Sequence, residues 1–434
     1  MTDPLTRQHA FPSYPEPGSY IVAGDQLRAW EYNGWKAESL SWKRTCYIHT
    51  GLSGPLSFID GPDADAFMAH LCTNSLSGLR EGMMRHAVMC DEAGLIAAHG
   101  ILQRYDDGHY RHFATPPWAQ FMAGAGKFRV NVRMEDRYLT QIAGPLSLEA
   151  MQRATGEDLS DLGFLRYRNT TIAGKQVEIG RIGMSGNLAY EVRGPMADGA
   201  AVYDAIYQAN REIGIERLGW RTYLVNHVEG GFPQMMWTFG SAMFLDPAVR
   251  AALGPDHFAY RTQRSGSFAS AENRPRLRNP FEVNWDKAVR FDHDFIGRPA
   301  LEAIDPAQSR RTVTLRWNAE DVIDIHASLY RQGEEYKTMD LPTTPTWAHG
   351  MVEHADRVLL GGHEVGVSSG NIYSYHFREQ LSFGCIDPEL AAEGTELIVE
   401  WGDHGRRIKP VRVTVERFPY LTEPRNSDAA APAV

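Results

Sequence analysis

The sequence predicts an α+β chain that closes with a separate β domain, and three observations carry that reading. Up to about residue 304, some segments repeat apolar residues at helical spacing and others alternate them at strand spacing. From Arg311 the pattern becomes that of strands: Val313, Leu315 and Trp317, then Val411, Val413 and Val415 against Arg412, Thr414 and Glu416. Gly361-Gly362, Ser369-Gly370 and Gly394 supply the turns such a domain needs. The expected divisions are an extended arm over 1–20, a core over 21–304, a β domain over 305–425 and a disordered tail over 426–434.

In order along the chain, Phe11-Pro-Ser-Tyr-Pro-Glu-Pro-Gly belongs to the arm, and Trp30, Tyr32, Trp35 and Trp42 form an aromatic cluster before Cys46-Tyr-Ile-His49. Ser57 to Asp60 reads as a strand. Asp63 is placed to cap a helix whose apolar face is Ala64, Phe67, Met68 and Leu71. Val88 to Leu102 reads as a hairpin around Asp91-Glu-Ala-Gly94, and Phe128 to Arg133 as a half-buried strand. Gln141-Ile-Ala-Gly144-Pro145 turns a strand into a helix that runs through Leu148 and Met151 to Gly156. Val177 to Val192 supplies further strands, and a helix from about Asp198 carries Val202, Ile206, Ala209 and Ile213 on one face before Gly214 ends it. Phe232 to Phe239 is irregular, rich in Met and aromatics, and Arg261 to Arg278 reads as a loop.

Composition narrows the function. A formal charge of −10 with no basic run argues against nucleic acid as a partner. No apolar stretch is long enough to cross a bilayer and no leader-like segment opens the chain. Cys46, Cys72, Cys90 and Cys385 lie far apart, without metal or redox spacing, so a reducing, cytoplasmic setting is expected. The 16 histidines show no ligand spacing, and no metal is expected. Gly124-Ala-Gly126-Lys127 lacks the residues of a phosphate loop, and no strand feeds the glycine-rich helix start of a dinucleotide site.

Two stretches hold candidate chemistry. Gly219 to Gly231 sets Tyr223, His227 and Glu229 within seven residues, beside Arg221, and ends in a glycine pair that a helix interior disfavours. Gly183 to Pro195 places Glu191 inside an apolar strand bounded by glycines, where an acid requires a partner.

These stretches, with Asn279-Pro-Phe-Glu282, Asp292-His-Asp-Phe-Ile-Gly297-Arg298 and Thr314-Leu-Arg-Trp-Asn318, resemble the aminomethyltransferase family. That family includes the glycine-cleavage T-protein, and the similarity extends further to its tetrahydrofolate-dependent vanillate and 3-O-methylgallate (aryl) O-demethylases. The resemblance implies a three-part cloverleaf: two interleaved α+β subdomains binding folate, then a β-barrel-like domain. It also implies tetrahydrofolate as cofactor, Glu191 as the carboxylate reading the pterin edge, Arg221 and Glu229 as further cofactor-side residues, and Tyr223 as the catalytic acid/base. Arg298 is expected to tie domains together. His99, Thr115, Trp237 and His227 are the candidates for the substrate pocket.

The chain also departs from the family. Thr50-Gly-Leu-Ser53 stands where T-proteins carry an acid and a histidine, Ala97-Ala98-His99 replaces an aspartate pair, Thr115 falls where the demethylases place an arginine, and Asp25 falls near their additional tyrosine. The resemblance nevertheless implies transfer of a methyl group from an aromatic methyl ether, of the lignin-derived methoxy-aryl acid kind, to tetrahydrofolate. Cofactor-free decarboxylation of a phenolic acid and a non-catalytic folate-binding regulator are the alternatives. A small aromatic substrate is the expected partner, and a homo-oligomer is left open.

Overall fold

The computed structural model describes residues 18–422 apart from 24, 25, 51–53, 107, 114–116 and 344–351. Most of the expected arm, the whole tail, Asp25 and Thr115 lie outside the described residues.

One ten-stranded sheet organises the first part of the chain. Its central strand, Asn131–Ala143, pairs along its first half with Gly54–Asp60 and along its second with both Ala189–Pro195 and Cys46–His49. Outward from Gly54–Asp60 run His109–Phe113, Ile96–Asp106 and Met84–Cys90; outward from Ala189–Pro195 run Lys175–Gly180 and Tyr167–Ile172. Ile215–Arg217 lies parallel to Cys46–His49.

Each half of this sheet has its own core, and the two cores are interleaved in sequence. One joins the face of the Ala64–Leu71 helix to Trp118, Met243, Val249 and Ile296. The other joins Tyr32, Cys46 and Ile48 to the helices Ser147–Thr155 and Gly199–Ala209. The sequence returns to each half because a strand is useful only beside its ladder partners. Gly156 and Gly214 end their segments at φ 75° and 77°, a conformation that costs a glycine little.

Two expectations shift locally. Asp63 sits at the start of its helix without capping it, because its carboxylate accepts three bonds from the Arg129 backbone and guanidinium. The strand expected from Phe128 begins at Asn131.

From Arg311 to Glu416, six strands close into a barrel. Val411, Val413 and Val415 are buried while Arg412 is exposed, as the alternation requires. Barrel residues Ile372, Leu381 and Phe383 pack against a helix spanning Trp220–Glu229, joining the two parts. Asp292 to Arg298 docks on the hairpin turn, where a side chain at Gly297 would overlap the Asp91 carbonyl. Among the described residues Arg298 bonds to the His293 carbonyl and to Glu302, so there it secures this local docking rather than a contact between domains. Among the described residues, no helix is long and apolar enough to cross a membrane.

Candidate active site

Across three neighbouring strands, His49 pairs with Gln141 and Gln141 with Glu191. Directly paired residues project to the same face, so the three side chains form one row. Glu191 is buried rather than superficial. Its Oε1 accepts a bond from Gln141 Nε2 at 3.1 Å, and its Oε2 one from Arg193 Nη2. Arg193 also meets Glu178 Oε1 at 3.4 Å, and Glu178 meets Arg111 at 3.5 Å. Buried charges persist only when paired, and here signs alternate along the sheet.

The Trp220–Glu229 helix lies over this row, with every residue buried except Arg221. The Gly219 to Gly231 stretch is thus mainly a core helix that carries a site on one side. Its start is held by buried Glu38, which accepts bonds from Gly219 N at 2.9 Å and Thr222 Oγ1 at 2.8 Å, placing a carboxylate at the positive end of the helix. At the other end, Glu229 accepts from Trp42 Nε1 at 3.0 Å and Ser374 Oγ at 2.6 Å and pairs with Lys43 at 2.7 Å. Arg221 pairs with Glu31 at 2.8 Å and donates to the Leu341 carbonyl. Arg221 and Glu229 therefore do not pair with each other; each anchors the helix to a different neighbour. Gly230 meets Gly186 so closely that an added Cβ would lie 2.7 Å from Gly186 N, which brings the two glycine-bounded stretches together.

On the side facing the row, Tyr223 stacks on His49 with centroids 4.1 Å apart and meets His227 edge-on at 4.7 Å. His49 Nδ1 lies 2.8 Å from the Leu218 carbonyl and His227 Nδ1 lies 3.1 Å from the Tyr223 carbonyl. A carbonyl only accepts, so both Nδ1 atoms carry hydrogen and both Nε2 atoms present lone pairs. Burial pushes His49 down to about 3 and His227 to about 4. Burial pushes the Tyr223 phenol well above 10, with Tyr47 and Glu191 adding to the rise. At neutral pH the cluster thus holds one protonated phenol and two neutral imidazoles.

Tyr223 OH, Gln141 Oε1, His49 Nε2 and His227 Nε2 are buried and bond to none of the described residues. Gln141 and Gln234 approach the phenol and His227 without closing a hydrogen bond. An unpaired buried polar atom costs on the order of 1–3 kcal/mol, so four around one ring mark a place shaped for a polar ligand.

The other expected residues fall as follows. His227 joins Tyr223 directly. His99 lies further along, its Nδ1 3.1 Å from His86 Nε2, and connects back to His227 through Phe232. Trp237 packs in the apolar junction with the barrel. His49, Gln141, Arg193 and His86 escaped selection; the only sequence signal was alternation, with Tyr47 and His49 two apart on one strand and Glu191 and Arg193 on another. All four cysteines are buried and free, and burial raises Cys46 and Cys72 to about 12, which removes them as nucleophiles at neutral pH.

The class of the protein follows from its relatives, which are methyl and one-carbon transferases: the chain is a transferase. The GCVT N-terminal domain family matches residues 52–238. Over 415 residues the chain is 39% identical to the sesamin methylene transferase of a Sinomonas species, covering 92% of this chain and 91% of that protein. It is 29% identical over 401 residues to the syringate O-demethylase of a Sphingobium species, with 88% and 85% covered, and 22% identical to a Geobacillus aminomethyltransferase, with 81% of each covered. The glycine cleavage system aminomethyltransferase T from Bartonella henselae shares the fold at a TM-score of 0.65 and 17% identity, covering 94% of this chain and 96% of that one. The chain belongs to the aminomethyltransferase (glycine-cleavage T-protein) superfamily. Tetrahydrofolate is the cofactor of that superfamily.

The residues present fit it. A carboxylate offers about four acceptor positions, so Glu191 retains capacity beyond Gln141 and Arg193. The orphaned Gln141 Oε1 beside it adds an acceptor for a ring rich in N–H donors.

Proposed function

We propose that this protein moves a one-carbon unit from the oxygen of an aromatic ether to tetrahydrofolate. The observation that carries the proposal is the Tyr223 hydroxyl: buried, protonated, bonded to no described residue and set beside the Glu191 row. Bound tetrahydrofolate supplies the nucleophilic nitrogen that takes the carbon. For a methyl ether, the aryl oxygen–carbon bond breaks, a nitrogen–carbon bond forms, and the proton leaving that nitrogen balances the one gained by the aryl oxygen.

Tyr223 serves as the proton donor by elimination and by match. Imidazoles lowered to about 3 and about 4 are protonated in roughly one molecule in ten thousand and one in a thousand at pH 7, so His49 and His227 act as hydrogen-bond acceptors. A phenol is the one donor of the cluster that is fully charged with its proton. Its raised pKa suits a leaving phenolate in the same dry surroundings, since transfer between groups of similar affinity has the lower barrier. Glu191 holds the pterin edge, Gln141 fixes that carboxylate from the side of the phenol, and we assign Arg221 and Glu229 to holding the helix rather than the cofactor.

The likeness to a methylene transferase favours a second donor, a methylenedioxyphenyl ring, in which both oxygen bonds to one carbon break and a catechol leaves. The test incubates the protein with vanillate-like methyl ethers and with methylenedioxy rings, with and without tetrahydrofolate. Methyl-tetrahydrofolate plus a phenol selects the first donor, and methylene-tetrahydrofolate plus a catechol the second. Product without folate selects decarboxylation, and folate binding without any product selects a regulator; either result overturns the proposal.

A further inference from the structure

Beyond Tyr223 the rings continue. Phe232 follows the helix and donates its backbone N–H to the His227 carbonyl at 2.8 Å, which fixes its ring 6.2 Å from His227. It then meets His86 at 5.8 Å and Trp285 at 5.9 Å, while Trp285 meets His86 at 4.6 Å and His99 at 4.8 Å. These rings come from three separate parts of the chain. His86 and His99 are diagonal neighbours on adjacent strands, and Trp285 is placed by the Asn279-Pro-Phe-Glu282 turn, whose Asn279 side chain accepts the backbone N–H groups of Phe281 and Glu282.

Accessibility separates this cluster from core. His86, Phe232 and Trp285 each keep part of their surface open although all three touch one another. Burial pushes the His86 imidazole down to about 4, which keeps it neutral at pH 7. A grouping of open aromatic faces with one polar end is what a flat, mostly apolar ligand requires.

Extending the proposed aryl-ether chemistry, we infer that Phe232, Trp285 and His86 form the subsite for the aromatic ring of the donor, with His86, held by its contact to His99, bonding a second oxygen on that ring. His86 is neutral, and its nitrogen facing His99 either donates or accepts across the 3.1 Å contact, so its other nitrogen carries a lone pair in the first case and an N–H in the second. The nitrogen of His86 away from His99 bonds to none of the described residues. His86 can therefore meet an ether oxygen as donor or a free phenol as acceptor, the two states of an ortho-dioxygenated ring before and after transfer. A donor seated here has its reacting oxygen on the His227 side, toward Tyr223.

The test measures two affinities on the intact protein: that of an aryl ether, by quenching of tryptophan fluorescence or calorimetry, and that of tetrahydrofolate. Trp285→Leu and Phe232→Leu are expected to weaken the ether about tenfold while changing folate affinity less than twofold. Trp285→Phe, which keeps an aromatic face, restores most of the loss, and equal melting temperatures show that the fold survives. His86→Phe should weaken ortho-dioxygenated rings while sparing rings with a single ether. Loss of folate affinity with the ether unaffected would assign the rings to the pterin, and unchanged affinity for both would remove the subsite; either overturns the inference. Because ether binding is read without turnover, a wild-type protein that binds the ether but transfers nothing sinks the proposed activity and leaves this subsite standing.

Discussion

Replacing Tyr223 with phenylalanine deletes one oxygen, and the structure assigns its effects on stability and on turnover opposite signs. That hydroxyl bonds to none of the described residues, so no protein hydrogen bond is lost. Removing a buried, unpaired polar atom relieves a penalty of about 1–3 kcal/mol, and the stack on His49 remains because the ring remains. Tyr223→Phe without ligands should therefore be as stable as the parent or more so by guanidinium titration. Turnover with an aryl ether and tetrahydrofolate should fall by about 10²- to 10⁴-fold, the usual share of a general acid. The deficit should shrink for donors whose leaving phenol is made acidic by a nitro group, since such a phenolate needs less help from a proton. Turnover within about threefold of the parent would refute the proton role. A stability loss above about 1 kcal/mol would refute the premise that the hydroxyl is unpaired.

Glu191→Gln should weaken tetrahydrofolate binding by about 10- to 100-fold in calorimetry, because a charge-assisted bidentate contact becomes a neutral one. Alanine is the poorer probe there, since it would also remove one of the charge partners of buried Arg193, leaving Glu178 to hold it. Gly230→Ala should destabilise the protein by about 1–3 kcal/mol in denaturant titration, because the new methyl meets Gly186 N, Met184 O and Asn226 O at 2.7–2.8 Å. Stability should also fall with acid in a defined window. His49, His86 and His227 are depressed in the folded state to about 3, 4 and 4, so between pH 6.5 and 4 the unfolded chain binds more protons than the folded one. Unfolding free energy should be fully present above pH 7 and decline through that window by a few kcal/mol per histidine; a flat profile from 7 to 5 would contradict the burial of these rings.

Much of the fold was legible because it repeats along the chain. The alternation of Val411, Val413 and Val415 and the helical spacing of Ala64, Phe67, Met68 and Leu71 are local patterns. Tyr223 and Glu191 were singled out by the motifs around them, and the structure sets them on facing elements. The row that joins them was not legible: His49, Gln141 and Glu191 are neighbours only through ladder registers that no local pattern encodes. The same holds for the acid that starts the Tyr223 helix, since Glu38 lies 181 residues from Gly219. Glycines at the end of that stretch suggested an irregular segment, whereas Gly230 is there because another backbone occupies the place of its side chain. Asp63 shows the reverse error, a local capping signal outweighed by a distant arginine.

The meeting of Gly186 with Gly230 has a consequence for how such an enzyme can diversify. Where main chain rests on main chain, no rotamer remains to absorb a change, so the separation of the phenol-bearing helix from the acid-bearing strand is a fixed dimension of the molecule. Variation in what the protein accepts is then confined to surfaces that can be recut without moving that dimension.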